Sequence, residues 1–600
     1  MERRIGSSLR RRWGLGVAIG RAAGIALVTL AFGLAAFTAE RALAAAPAPA
    51  IGTRGMVVSA ERHATEAGLA LLTAGGNAVD AAVATSFALG VTEPYHSGIG
   101  GGGLLLIHLA SGETIALDAR ETAPAAAHAR MFLEPGVPDD ASRSGPLAVA
   151  TPGLVAGLVL AQQRWGTRPL ADVLAPAIAL AEDGFPIGLR HARIIEIWRG
   201  MGLAERFPET AAIQTPPPGT PATPGWRLVQ KDLARTLRAI ARDGADAFYR
   251  GPIATAIADE VQRHGGILRA EDLAAYQPKL REPVSGRYRG RTVRSFPPPS
   301  SGGIALIQML NILEGFDLAA LGAGSSATIH RVAEAMKLAF ADRAAYLGDT
   351  DFVDVPVAQL LDEDYAARLR GRLLPPRWRR APWTWGRDEV AIRVSGPGLG
   401  PWPPPSGGTS HFSVTDAAGN AVAVTQTVNL LYGSGLTASG TGVVLNDEMD
   451  DFSIDRNRPN AFGLLDTRGQ NAVAPGKRPL SSMTPTILLE DGRVRMVTGS
   501  PGGPRIISTT LLTILNVFDH GMDVSEAVAA PRFHHQWEPD ELRIERAIPV
   551  DVRDALRRRG HHVVVSERNW SSAQAIVIDP ETGWHLGGSD PRSDGLAKGY

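Results

Sequence analysis

The spacing of hydrophobic and polar positions changes along this chain, and the changes divide it. Ala60–Leu72 and Val79–Leu89 carry apolar residues at helical spacing, which predicts two helices. Gly103–His108 and Thr114–Asp118 are apolar runs on either side of Ala110-Ser111-Gly112, a hairpin signal. Ala- and Leu-rich helical patterns dominate from 151 to 280. The run Pro297 to Gly303 then interrupts the chain before helices predicted at Ile304–Glu314 and Ala327–Ala345. From about 373 to 408 Pro, Trp, Arg and Gly crowd in and periodicity disappears, which reads as a linker or flexible arm. Beyond it the period becomes two. His411–Asp416 and Ala421–Val428 alternate around a turn at Ala417–Asn420, and Pro485–Glu490 and Arg493–Val497 flank the turn Asp491-Gly492. A last long helix is predicted at Arg505–Asp519. Strands from both halves with helices around them predict a layered α/β (α+β) architecture.

Composition narrows the chemistry more than the fold. The 600 residues are 44% hydrophobic and 20% charged with formal net charge zero, an ordinary globular balance that points to no nucleic-acid or membrane-surface partner. Cysteine is absent, which excludes disulfides, thiol catalysis and thiolate metal sites. Arg3, Arg4 and Arg10-Arg11-Arg12 precede the apolar run Gly24–Phe37, and Ala42-Leu43-Ala44 has the small-x-small form of a cleavage site. Residues 1–44 therefore read as a signal peptide, and the mature protein is expected to be periplasmic or secreted, without membrane insertion.

Several motifs fail on context. Gly98 to Gly103 formally satisfies GxGxxG, but a strand hairpin follows rather than a helix. The 14 histidines show no ligand spacing, and His561-His562 is expected at the surface; no metal is expected. Four constellations remain. Gly407-Gly408-Thr409-Ser410-His411 delivers a Thr hydroxyl to the first residue of a core strand, with Thr427 and Asn429 on the strand that returns beside it. A Thr at a new N-terminus carries nucleophile and base on one residue, although Thr is also a common strand residue. The acidic run Asn446 to Asp451 follows the apolar Val443–Leu445, so part of it is expected to point inward and to want a cation; the alternative is a solvated loop. Ser481-Ser482 can donate to a carboxylate or simply form a turn. Gly499-Ser500-Pro501-Gly502-Gly503 precedes a helix, where exposed N–H groups attract negative charge. Together these supply the needs of acyl transfer from an amino-acid-like donor.

These residues, with Gly75–Asp80, Val91–Pro94, Leu117–Glu121 and Arg478–Met483, resemble the γ-glutamyltransferases (γ-glutamyltranspeptidases) of the N-terminal-nucleophile hydrolase superfamily, from about Gly52 to Tyr600. The resemblance implies a four-layer αββα sandwich and self-cleavage between Gly408 and Thr409. A large subunit, 45–408, and a small catalytic subunit, 409–600, would then form a heterodimer. Thr409 would be the nucleophile, supported by Thr427. Asn429, Glu448 and Asp451 would bind the donor's α-amino group, and Arg120, Ser481 and Ser482 its α-carboxylate. Gly502 and Gly503 would supply the oxyanion N–H groups. Residues Ser453 to Ala472 resemble a lid, with Phe462 where many relatives carry Tyr. The implied donors are glutathione and other γ-glutamyl compounds, the acceptors water, amino acids or peptides, and no cofactor is implied. An acylase of the same superfamily acting on glutaryl-type amides is the neighbouring alternative.

Overall fold

Two seven-stranded antiparallel sheets lie at the centre of the computed structural model, which describes residues 46–373, 408–456 and 458–600. The segment expected to be a signal peptide and nearly all of the expected arm before Gly408 lie outside the described residues. In spatial order the first sheet is Leu596–Gly599, Met56–Ser59, Gly408–Thr415, Ala421–Asn429, Gly102–His108, Thr114–Ala119 and Lys279–Arg281. The second is Ala50–Gly52, His585–Ser589, Gln574–Ile578, Arg493–Gly499, Thr486–Glu490, Arg291–Ser295 and Val284–Tyr288.

Strand alternation assigns each face of these sheets to a layer. Val58, Leu104, Leu106 and Ala423 of the first sheet meet Ile487, Val497 and Ile576 of the second in the core between them. The opposite face of the first sheet, with Val57, Leu105, Phe412 and Val424, packs on helices Arg62–Thr73, Ala78–Thr92 and Leu154–Trp165. The outer face of the second, with Val293, Leu488, Met496 and Val577, packs on helices Gly302–Leu313, Ser326–Tyr346 and Arg505–Phe518. The order is helix, sheet, sheet, helix, as the resemblance implies. A fully buried side chain such as Phe412 contributes roughly 1.5–3 kcal/mol to holding its layer in place.

Two sequence motifs prove to be structural. In Gly75–Asp80, Asn77 caps helix Ala78–Thr92 by accepting from Val79 N and Asp80 N, and the Asp80 carboxylate closes the box on Asn77 N at 2.8 Å. In the glycine run, a Cβ on Gly101 would stand 1.9 Å from Thr427 O, and one on Gly100 2.2 Å from Val444 O. These glycines let neighbouring backbone close around the end of the Thr427 strand.

The expectation of a surface position for His561 is corrected. Its side chain is only 6% exposed and its Nε2 lies 2.8 Å from Nδ1 of His330. The turn at Gly560 (φ +96°) folds His561 back against helix Ser326–Tyr346, an arrangement that sequence adjacency to His562 does not reveal.

Candidate active site

His411, Ser413 and Thr415 of the strand Gly408–Thr415 point between the two sheets, while Phe412 and Val414 point to the helices. His411 Nδ1 shares a hydrogen with Thr425 Oγ1 at 2.8 Å, and Ser413 Oγ donates to Gln574 O at 3.0 Å. Thr409 shares their parity and therefore faces the same interlayer space. On the helix side, Ser410 Oγ donates to the buried carboxylate of Glu93, which also accepts from Tyr95 OH at 3.1 Å. Burial raises the Glu93 pKa.

The pairing of the two strands is broken where the chemistry is expected. Thr409 is opposite Thr427, but Gly408 is opposite Asn429, so Val428 is an extra residue in the return strand. A bulge of this kind bends the strand and re-aims side chains. Thr427 Oγ1 donates to the Gly408 carbonyl, accepts from Asn429 N at 2.8 Å, and lies 3.1 Å from Thr409 Oγ1. A hydroxyl has one proton and two lone pairs, so these three bonds use all of its capacity. The remaining one is therefore donated by Thr409. Asn429 sits at φ +77° and its Nδ2 donates to Asp447 O at 3.0 Å, which ties this strand end to the acidic run.

That run is buried throughout. The Arg120 guanidinium, wholly buried, donates to both Glu448 and Asp451, with Glu121 3.4 Å away. Arg120 Nε also donates to Pro479 O at 3.2 Å, which brings the run against Pro479–Ser482. The structure thus joins the residues expected at the amine end and the carboxylate end of a donor into one ion cluster. Three carboxylates face one guanidinium. Burial raises the Glu448 pKa well above the ordinary carboxylate range and pushes Glu121 up to about 7, while Arg120 pulls both down. Glu448 Oε2 and Glu121 Oε1 are buried with no donor from any third residue, and the two carboxyls interact with each other. Buried acceptors short of donors beside excess negative charge are a site for a cation with N–H groups.

Ser481 Oγ accepts from Met483 N at 3.1 Å, which leaves its proton to donate, and its own carbonyl is held by Ser301 N and Oγ, both at 2.8 Å. Ser482 is nearly buried beside it. Gly502 and Gly503 turn the chain from strand Arg493–Gly499 into helix Arg505–Phe518 at φ +130° and +58°, values that favour glycine. Among the described residues neither N–H has an acceptor. The Phe462 ring covers Gly503 so closely that a Cβ there would lie 2.5 Å from it.

Sequence reasoning missed three contributors. Glu121 adds the third carboxylate. Asn471 ties the acidic run to Pro479–Ser482 by accepting from Leu480 N at 2.9 Å and donating to Asp451 O at 2.6 Å. Ser571, at φ +61°, places its Oγ 2.3 Å from where a Cβ of Gly502 would be. Only Glu121 carried a signal, its place beside Arg120.

An αββα sandwich that presents a threonine hydroxyl at the head of a central strand is the fold of the N-terminal-nucleophile hydrolases. The family model for gamma-glutamyltranspeptidase matches residues 64–600, and the chain belongs to that family. It is 45% identical over 562 residues to the glutathione hydrolase proenzyme of Escherichia coli (strain K12), covering 92% of this chain and 93% of that one. The Acylase ACY 1 proenzyme of Pseudomonas sp. (strain SE83) is 42% identical over 556 residues, 91% and 94% of the two chains. Among solved structures, cephalosporin acylase from Bacillus halodurans superposes with a TM-score of 0.77 at 30% identity, covering 92% of this chain and 97% of that one.

Proposed function

We propose that the chain is a self-processing γ-glutamyltransferase and glutathione hydrolase. The observation that carries this reading is Thr427, whose one hydroxyl binds both the Gly408 carbonyl and the Thr409 hydroxyl. In the precursor, Thr409 Oγ attacks the Gly408 carbonyl carbon and the bond to Thr409 N breaks, giving an ester and a free α-amine. Water then hydrolyses the ester. The attacked carbonyl gains negative charge on the oxygen that already accepts from Thr427, so the donor stands where charge develops.

In the mature protein the Thr409 amine takes the proton from its own Oγ as that oxygen attacks a γ-glutamyl amide, and passes it to the leaving amine. Gly502 and Gly503 N–H groups hold the oxyanion. The donor's ammonium enters among Glu448, Asp451 and Asn429, where Glu448 Oε2 has no donor from a third residue. Its carboxylate meets Arg120, Ser481 and Ser482, the fork of Arg suiting two oxygens at once. Water or an amino acid or peptide then attacks the γ-glutamyl ester and releases Thr409.

The acylase relatives set the competing reading. A glutaryl donor has no α-amine, and it would leave Glu448 and Asp451 facing Arg120 with no added cation. We assign export to residues 1–44 and a periplasmic or secreted location on the sequence of that leader; among the described residues no helix is long and apolar enough to cross a membrane. The two pieces would stay together as a heterodimer, because strands from either side of Gly408 alternate within one sheet.

N-terminal sequencing of the small chain tests the cleavage site and nucleophile together. The expected first residue is Thr409; any other start, or a full-length chain that persists on incubation, refutes the reading. Turnover of γ-glutamyl against glutaryl anilides then tests the donor, and preference for glutaryl would assign the acylase activity instead.

A further inference from the structure

Helix Ser326–Tyr346 carries His330 and Glu334 four positions apart, a spacing that stands two side chains one above the other on the same face. The turn at Gly560 brings His561 against that face from 231 positions away. Spacing along the chain pairs His561 with His562 and shows no ligand set; the fold assembles one. His330 Nδ1 and His561 Nε2 face each other at 2.8 Å, and Glu334 Oε1 lies 3.9 Å from His561 Nδ1. One ligand atom from each of the three residues lies within 4.8 Å of the other two. None of the three takes part in the steps above.

The contacts these groups make fall short of what they can make. The Glu334 side chain is 13% exposed, and among the described residues its carboxylate accepts no hydrogen bond. A carboxylate so far out of water ordinarily has a donor or a cation. The ammonium of Lys337, which acts on it, is held 2.5 Å from Asp540 Oδ1, and that oxygen also lies 3.1 Å from His535 Nε2. The two facing imidazole nitrogens have one proton between them. Both offer lone pairs once the donating ring moves its proton to its other nitrogen. Two imidazole nitrogens and a carboxylate oxygen suit zinc, which binds the former at about 2.0–2.1 Å and the latter at about 2.0–2.2 Å. Tetrahedral binding at those lengths sets ligand atoms about 3.3 Å apart. The nitrogens would open by about half an ångström and the Glu334 side chain would swing in by a change of rotamer.

We propose that His330, Glu334 and His561 form a zinc site, with water in the fourth position, and that the ion clips the two halves of the protein together. His330 and Glu334 precede Gly408, and His561 follows it. The helices around the site share one core, in which Leu556 of Val550–Arg558 joins Ile329, Val332 and Met336 of Ser326–Tyr346. The site therefore needs no cut to form. Only its role as a clip between separate chains rests on the self-processing reading.

Equilibrium dialysis of the metal-stripped full chain against Zn2+ alone, followed by metal analysis, tests the site. One zinc ion per chain is expected. Glu334→Gln, which keeps the shape and loses the charge, and His561→Ala should each weaken zinc binding at least ~10-fold, the least that losing even a supporting partner of a ligand costs. His562→Ala, a change at the exposed neighbour, should leave it unaltered. Co2+ in place of zinc should show the visible absorption of a four-coordinate ion, lost in His561→Ala. A chain that binds no zinc at micromolar metal, or whose affinity is unmoved by Glu334→Gln or by His561→Ala, overturns the site and leaves an ordinary hydrogen bond between imidazoles. For the clip, the urea concentration that separates the large and small chains on gel filtration should rise with zinc in the wild type and not in His561→Ala. No rise in the wild type overturns that role. A chain that takes up zinc as expected but is never cut at Gly408 overturns the functional reading and upholds the site.

Discussion

Thr427 Oγ1 lies 3.1 Å from Thr409 Oγ1 while donating to the carbonyl that precedes Thr409. The bulge at Val428 lies at this point, with Thr409 opposite Thr427 and Gly408 opposite Asn429. Thr427→Val keeps the shape and the strand preference but removes the donor. It should slow self-cleavage by roughly 10²–10³-fold, the cost of losing one oxyanion donor. Thr409→Ala should abolish cleavage entirely. Following the two bands by gel over hours separates the cases, and a Thr427→Val chain that matures at the wild-type rate would rule out this role.

Arg120 is bound to the acidic run so tightly that stability and binding are linked there. Replacing it with Met would leave Glu448 and Glu121 buried without an ion-paired cation and Asp451 with only the more distant charge of Arg343. Breaking a buried ion pair from one side costs roughly 3–5 kcal/mol. Arg120→Met should therefore lower the denaturant midpoint markedly and abolish donor binding. Arg120→Lys restores one charge without the fork, and should recover stability more than donor affinity. Equilibrium unfolding of both variants in the processing-deficient Thr409→Ala background measures the first effect. If Arg120→Met unfolds at the wild-type midpoint, the cluster is not a source of stability.

Glu121 makes the same cluster respond to pH. Burial holds its folded pKa up at about 7, against the ordinary 4.5 expected of the unfolded chain. Below 4.5 both states are protonated and the neutral buried acid carries no penalty. As the pH rises from 4.5 to 7 the unfolded chain loses the proton first, so the folded state binds more protons and stability falls. Above 7 both states are ionised and the change stops. Glu121→Gln stays neutral, so its thermal midpoint relative to wild type should climb across that window and then level off. A difference independent of pH would mean that Glu121 is ionised throughout.

The fold was more legible in the sequence than the site. The apolar run Gly103–His108 and the alternation in His411–Asp416 and Ala421–Val428 predicted strands that the structure contains, because side chains on one face meet helices regardless of what covers the other. The same alternation suggests one wet face, and there the structure differs. His411, Ser413 and Thr415 are all buried, bonded to Thr425, Gln574 and His585 across or between the sheets. A hydroxyl looks the same in sequence whether water or a second sheet satisfies it. The donor site shows a second limit. Arg120 and Glu448 are 328 positions apart, and no periodicity relates them. Their roles came from resemblance, and their mutual ion pair from the structure alone. Ser571 carried no motif, since its contribution is a backbone conformation beside Gly502.

Gly503 combines two constraints that a pair of substitutions can separate. Its φ of +58° costs a residue with a side chain roughly 1–2 kcal/mol, and the Phe462 ring occupies the space a Cβ needs. Gly503→Ala should therefore displace Phe462 or turn the amide, lowering kcat by roughly 10²–10³-fold through the oxyanion contact. The backbone that carries the ring is fixed, since Gln536 Nε2 donates to the carbonyls of Phe462 at 3.2 Å and Gly463 at 3.1 Å. Phe462→Ala alone removes the cover and leaves the amide aimed, so kcat should change little while donor KM rises. If the ring contact dominates the Gly503→Ala defect, adding Phe462→Ala should recover at least ~10-fold of the lost kcat, since the remaining backbone strain is small on that scale. A double variant as slow as Gly503→Ala alone would place the defect in the direction of the amide itself, and the lid would then have no part in shaping the oxyanion site.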